Sequence, residues 1–104
     1  MCRVTQMGVL RLLSNPSVLG VDALSRKGAW TAIDSLLADS AVTFLDEPTG
    51  LEQVWRALSA GTDQSHKLWT DDYLAAFAQA ANLTFVTLDR SFVKRYPSVN
   101  VEVI

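Results

Sequence analysis

The stretch Leu68 to Arg90, LWTDDYLAAFAQAANLTFVTLDR, constrains this chain most, because it joins an amphipathic helix to a short strand and sets carboxylates at one end of each. Tyr73, Leu74, Phe77, Ala78 and Ala81 recur at i, i+1, i+4, i+5 and i+8, a single apolar helical stripe. Thr70 sits where an N-cap belongs, so the helix is expected from Asp71. Asn82 suits a left-handed C-terminal turn, and Leu83-Thr84-Phe85-Val86-Thr87-Leu88 has the β-branched and aromatic pattern of a buried strand. Asp89 falls where that strand ends. Ligands of open parallel sheets bind beyond the C-terminal ends of the strands. A helix running antiparallel to the strand it precedes brings Asp71 and Asp72 to the same edge, so three carboxylates can converge there.

With 104 residues, 49% of them hydrophobic, the chain suits one compact domain, residues 1–104. The formal net charge is −2 and no run of like charges exceeds two residues, so electrostatics do not announce a nucleic-acid partner. Acidity does not exclude one, because a carboxylate cluster can receive a phosphate backbone through bound cations. Cys2 is the only cysteine, which rules out an intrachain disulfide and points to a reducing cytoplasm. No apolar run approaches the roughly 20 residues that span a bilayer, so no membrane partner is expected.

Along the chain, Met1-Cys2-Arg3-Val4 has the look of the end of a strand, and Thr5 is placed to cap a helix running to about Leu13. Asn15-Pro16 stops that helix, since proline disfavours helical geometry in the residue before it. An irregular segment is expected to Asp22. Ala29, Trp30, Ile33, Leu36 and Leu37 define a helix over Arg26 to Ala38, and Ala41 to Leu45 reads as a strand. Leu51, Val54, Trp55 and Leu58 mark a further helix over Gly50 to Ala60, with Gly61 as its stop. After the central helix and strand, Arg90 to Arg95 forms a helical turn, Tyr96-Pro97 breaks it, and Val99, Val101 and Val103 alternate as a last strand. Strands separated by helices argue for an α/β fold in three layers around a mainly parallel sheet.

Magnesium and manganese prefer carboxylate and water oxygens, and such ions activate water and stabilise the leaving oxygen in phosphodiester cleavage. Asp71 and Asp89 are the candidate ligands. The plain alternative for Asp71 and Asp72 is a favourable interaction with a helix dipole, and for Asp89 a cap on the following turn. His66 stands alone in a polar loop and reads as a surface residue. Trp30, Trp55 and Trp69 read as core or interface anchors, and the glycines form no phosphate-binding loop. Arg3, Arg11, Arg90, Lys94 and Arg95 could touch nucleic-acid phosphates, but solvated surface charge is the preferred reading for each one.

Three short motifs occur in order: Thr5-Gln6-Met7-Gly8 with Leu10-Arg11-Leu12-Leu13-Ser14-Asn15-Pro16, then Trp69-Thr70-Asp71 with Tyr73-Leu74-Ala75-Ala76, then Val86-Thr87-Leu88-Asp89-Arg90. Together they resemble the PIN-domain ribonucleases, and within them the VapC-type toxins of bacterial type II toxin–antitoxin systems, over nearly the whole chain. The resemblance implies a magnesium-dependent (or manganese-dependent) endoribonuclease that hydrolyses RNA phosphodiesters, with RNA and a cognate antitoxin protein as partners.

Residue by residue, Asp71 and Asp89 match two of the family's acidic ligands, Asp72 is a second-choice ligand, and Thr87 matches the hydroxyl residue that often precedes the final aspartate. The early-helix acid is replaced by Gln6, which supplies no charge and cannot act as a general base. The family's opening strand with its aspartate, and the helix after it, are not matched, so a partial domain of reduced activity is expected. A late start, a remnant that no longer cleaves RNA, and an assembly in which another chain fills the gap are the three explanations. The alternative to the enzyme is a non-catalytic PIN-like module that binds an antitoxin or itself. Unpaired strand edges and apolar residues of the first two helices (Leu10, Leu13, Trp30, Ile33) further suggest a homodimer.

Overall fold

The computed structural model describes all 104 residues. Backbone contacts gather them into two compact units, Met1–Asp46 and Glu47–Ile104. No helix is long and apolar enough to cross a membrane.

The first unit is helical. Helix α1 spans Arg3–Leu13, so Arg3 and Val4 of the anticipated strand end at Met1 to Val4 are already helix. Its N-cap is Cys2, in extended geometry, and Thr5 sits inside the first turn, where its hydroxyl accepts the Cys2 N–H at 2.9 Å. The hydroxyl placed three residues inside the turn therefore does reciprocal capping work in place of an N-cap at Thr5. The segment after Asn15 is regular, contrary to the irregular run expected. Asn15 accepts the Ser17 N–H at 3.0 Å and Pro16 opens the short helix α2, Pro16–Leu19, followed by a 3-10 turn over Gly20–Asp22. The proline that ends one helix is thus suited to begin the next, because its missing N–H is not needed there.

Helix α3, Arg26–Ala38, has the expected bounds, with Ser25 accepting the Gly28 N–H at 3.0 Å. It packs on α1 and buries Ala29 and Ile33. The expected strand at Ala41 to Leu45 does not form. A strand needs a ladder of partners, and here the segment pairs with Met1 alone, Leu45 donating to the Met1 carbonyl at 2.7 Å and the Met1 amino group to the Thr43 carbonyl at 2.8 Å, while Val42 closes a turn on Asp39 at 3.0 Å.

The second unit carries the sheet. Gly50, at φ +81°, leads into α4, Leu51–Ser59, which packs along α5, Trp69–Ala80. Helix α5 starts before the expected Asp71, because Leu68 takes the cap position and its carbonyl receives the Asp72 N–H at 2.8 Å. Its end follows the left-handed turn expected of Asn82, whose φ is +54°. Leu83 and Asn82 donate back to the Ala78 and Gln79 carbonyls at 2.8 and 3.2 Å, a Schellman closure. The buried side of α5 is wider than the stripe in the sequence, since Ala75 and Ala76 are fully buried beside Phe77 and Ala78.

Strand β1, Phe85–Thr87, runs parallel to β2, Val101–Val103, in the register Phe85↔Val101, Val86↔Glu102 and Thr87↔Val103. Helix α6, Ser91–Arg95, lies between them in sequence. The architecture is mixed α/β, with a small parallel sheet of two strands and flanking helices. β1 is shorter than the anticipated Leu83 to Leu88 and is not a buried strand, since Val86 and Leu88 are exposed. The core of this unit is Ala75, Ala78, Phe92, Tyr96 and Val99, with Phe85 packed on it. Phe85 and Phe92 stack face to face at 4.3 Å between ring centroids. Phe92→Ala is expected to destabilise the unit by about 3–5 kcal/mol, and Ala75→Leu by about 1–3 kcal/mol through overpacking, both read from urea unfolding midpoints.

Candidate functional site

The backbone turn after β1 builds the site. Thr87 accepts the Asp89 N–H at 3.0 Å, and one oxygen of Asp89 then accepts both the Ser91 N–H at 2.9 Å and the Ser91 hydroxyl at 2.6 Å. This is the aspartate turn that Asp-x-Ser sequences favour, and it fixes the carboxylate relative to the strand end. The other oxygen, Oδ2, accepts from Arg95 Nη2 at 3.0 Å. Asp71, in the first turn of α5, accepts from the same nitrogen at 3.2 Å.

The strand end and the helix start therefore meet at one guanidinium. All three side chains are partly exposed, at 32% for Arg95, 41% for Asp71 and 49% for Asp89, so solvent screens the pairs. Arg95 also lies over the rings of Phe92 and Tyr96, at 5.8 and 5.7 Å from their centroids.

Asp72 is in a different situation. It is buried, and its carboxylate accepts the hydroxyl of Tyr96. Burial and then this hydrogen bond raise the Tyr96 phenol above its ordinary value of 10.0. A cavity of about 400 Å³ opens beside the pair, lined in part by Asp63, Trp69, Asp72, Arg95 and Tyr96. Trp69 meets Trp55 edge to face at 6.4 Å, and Trp55 meets Tyr73 in the same way at 5.3 Å. Gln6 belongs to the first unit, where it is buried and its side-chain oxygen accepts from Arg3.

Of the candidate residues, Asp71 and Asp89 share one cation, Thr87 shapes the turn that carries Asp89, and Asp72 is committed to Tyr96. Arg95 and Ser91 are the additions that the structure makes. Ser91 was legible as the third residue of an Asp-x-Ser turn. Arg95 carried no sequence signal that set it apart from the other surface cations.

No group of three or more His, Cys, Asp or Glu side chains is arranged to hold a metal ion. Asp71 and Asp89 nonetheless form a donor pair that suits a hard divalent cation, since both present carboxylate oxygens to the same positive group.

The mixed α/β architecture, a small parallel sheet with flanking helices, is that of a partial PIN-like fold. No protein-family profile matches the chain. Ribonuclease VapC41 of Mycobacterium tuberculosis is 40% identical over 97 residues, covering 89% of this chain and 66% of that protein. VapC ribonuclease Mb2897 of Mycobacterium bovis and Ribonuclease VapC43 of Mycobacterium tuberculosis are each 31% identical over 87 residues, covering 84% of this chain and 58% of theirs. The chain belongs to the VapC family of PIN-domain proteins, and it spans about two thirds or less of the length of these relatives.

The Ser91 hydroxyl, the Ser91 N–H and then the Arg95 charge hold the Asp89 carboxyl below its ordinary value of 3.8. A carboxyl depressed in the folded state adds stability that is fully present above its unfolded value and is lost as pH falls through the folded one. Asp89→Asn is therefore expected to lower stability near neutrality, where the contribution is fully present, and to flatten the acid side of the stability curve below pH 3.8, so that the two proteins converge at low pH in urea unfolding.

Proposed function

We propose that this chain acts as a magnesium- or manganese-dependent endoribonuclease of a toxin–antitoxin system, hydrolysing RNA phosphodiesters. The observation that carries the reading is the convergence of the Asp71 and Asp89 carboxylates on the Arg95 guanidinium beyond the C-terminal end of β1, which brings their oxygens within reach of one positive charge. The names of the relatives, all ribonucleases, supply the class of reaction. A divalent ion at such a site supplies an acidified water and charge neutralisation of the phosphodiester.

The protein's own groups have separable tasks. Asp71 and Asp89 hold the cation, and the Thr87 and Ser91 contacts keep Asp89 from rotating away. Asp72, with one oxygen engaged by Tyr96, acts as a second-choice ligand that braces the start of α5. Gln6 takes the position of the family's early-helix acid, where an amide can orient a water without adding charge. RNA, a cognate antitoxin and a second copy of the chain are its partners, in the cytoplasm, and both compact units belong to one PIN-like domain.

A second reading has its own observation. The Gln6 oxygen is already engaged by Arg3, and Met7, Leu12 and Trp30 of α1 and α3 are exposed. A module that binds an antitoxin or itself through such apolar side chains, without cleaving RNA, keeps those residues for association.

The two readings separate on single-stranded RNA incubated with magnesium or manganese. Asp71→Asn and Asp89→Asn are each expected to lower cleavage by at least about 10–100-fold, the scale that loss of a group one shell further from a metal already reaches. Cleavage that survives both substitutions, or that persists in chelator, overturns the metal site, and the absence of cleavage by the unaltered chain with either ion overturns the enzyme reading. Sedimentation equilibrium at micromolar concentration is expected to show a dimer, and a monomer there overturns the homodimer.

A further inference from the structure

Arg95 is the one group that touches both proposed ligands. Its Nη2 donates to Asp71 at 3.2 Å and to Asp89 at 3.0 Å, so one nitrogen stands between two carboxylate oxygens. A guanidinium stays charged at any pH the protein meets, so its attraction to the pair cannot be switched off by proton loss. Two carboxylates and one guanidinium leave a net negative site, which a doubly charged ion in the place of the guanidinium would neutralise. The two cations contend for the same oxygens.

We propose that Arg95 is a built-in counter-ion that competes with the divalent cation for Asp71 and Asp89, and that it must leave the pair for the ion to enter. The inference rests on the metal-site reading given above. Arg95 is equipped for the exchange. The Phe92 and Tyr96 rings beneath its guanidinium give it a platform that does not depend on the carboxylates. Arg95 also borders a cavity of about 400 Å³, which leaves room for a displaced guanidinium. Arg95 thus holds the two aspartates together in the ion-free protein, at a cost in cation affinity. Once displaced, it is a positive group at the edge of the site, suited to an RNA phosphate.

Isothermal titration of the full 104-residue chain with manganese chloride tests this directly. Partly exposed ion pairs are modest, and removing two of them should tighten manganese binding about three- to thirtyfold in Arg95→Gln. Arg95→Lys, which keeps the charge but loses the planar fork, should fall between that variant and the parent. Unchanged or weaker binding in Arg95→Gln, with binding still abolished by Asp89→Asn, overturns the competition and leaves the metal site standing. Manganese binding that persists in both Asp71→Asn and Asp89→Asn removes the site and the competition together.

A second measurement needs no substitution. In the unaltered protein, titration with magnesium should shift the Arg95 side-chain Nε–H resonance and speed its exchange with water. A magnesium-saturated protein in which that resonance does not move overturns the proposal.

Discussion

The pair Phe92 and Tyr96, one helical turn apart on the short segment after β1, is what the second unit depends on. Phe92 stacks on Phe85 of β1 at 4.3 Å and meets Tyr96 at 4.5 Å, and both rings close over Ala75 and Ala78 of α5. This packing joins the strand end to the helix before it. It is also what aims Arg95, which sits between Lys94 and Tyr96 with its guanidinium at the rim of the buried rings. The apolar contact therefore determines the polar one. If α6 were rotated or lost, Asp71 and Asp89 would have no common partner.

Small side chains on α5 make that geometry possible. Ala75 and Ala76 are fully buried, so the helix backbone can approach the aromatic layer closely, and Asp71 and Asp72 at its start are carried to within reach of α6. The two neighbouring acids then diverge in chemistry because of burial. Asp72 leaves water and takes a phenol as its partner, whereas Asp71 stays partly solvated and pairs with a guanidinium. A buried carboxylate needs a donor, and Tyr96 supplies it from inside the core.

The first unit follows simpler rules, and its lesson concerns surface. Helices α1 and α3 bury Cys2, Gln6, Ala29 and Ile33. Leucine, methionine and tryptophan side chains of the same helices remain exposed, Trp30 at 51%. A small hollow of about 280 Å³ lies between Met7, Leu10, Arg11, Ser14, Arg26 and Trp30.

Several features were legible without any structure. The bounds of α3, the left-handed Asn82, the placement of Asp89 just past a strand and the meeting of α5 with that strand's end all followed from local rules of capping, turn chemistry and chain direction. Strands were the weak point. Ala41 to Leu45 and Met1 to Val4 have suitable residues, but a strand exists only where a neighbour offers hydrogen-bond partners, and only Phe85–Thr87 and Val101–Val103 find each other. Thr5 and Thr70 look like caps, yet the helices begin earlier, at Arg3 and Trp69, because each first turn closes on the carbonyl available before it. The sequence by itself determined that acids lie at the end of a strand and the start of a helix. Tertiary structure alone decided that Asp71 and Asp89 share Arg95 while Asp72 turns to Tyr96, because both choices depend on how an aromatic core orients a five-residue helix.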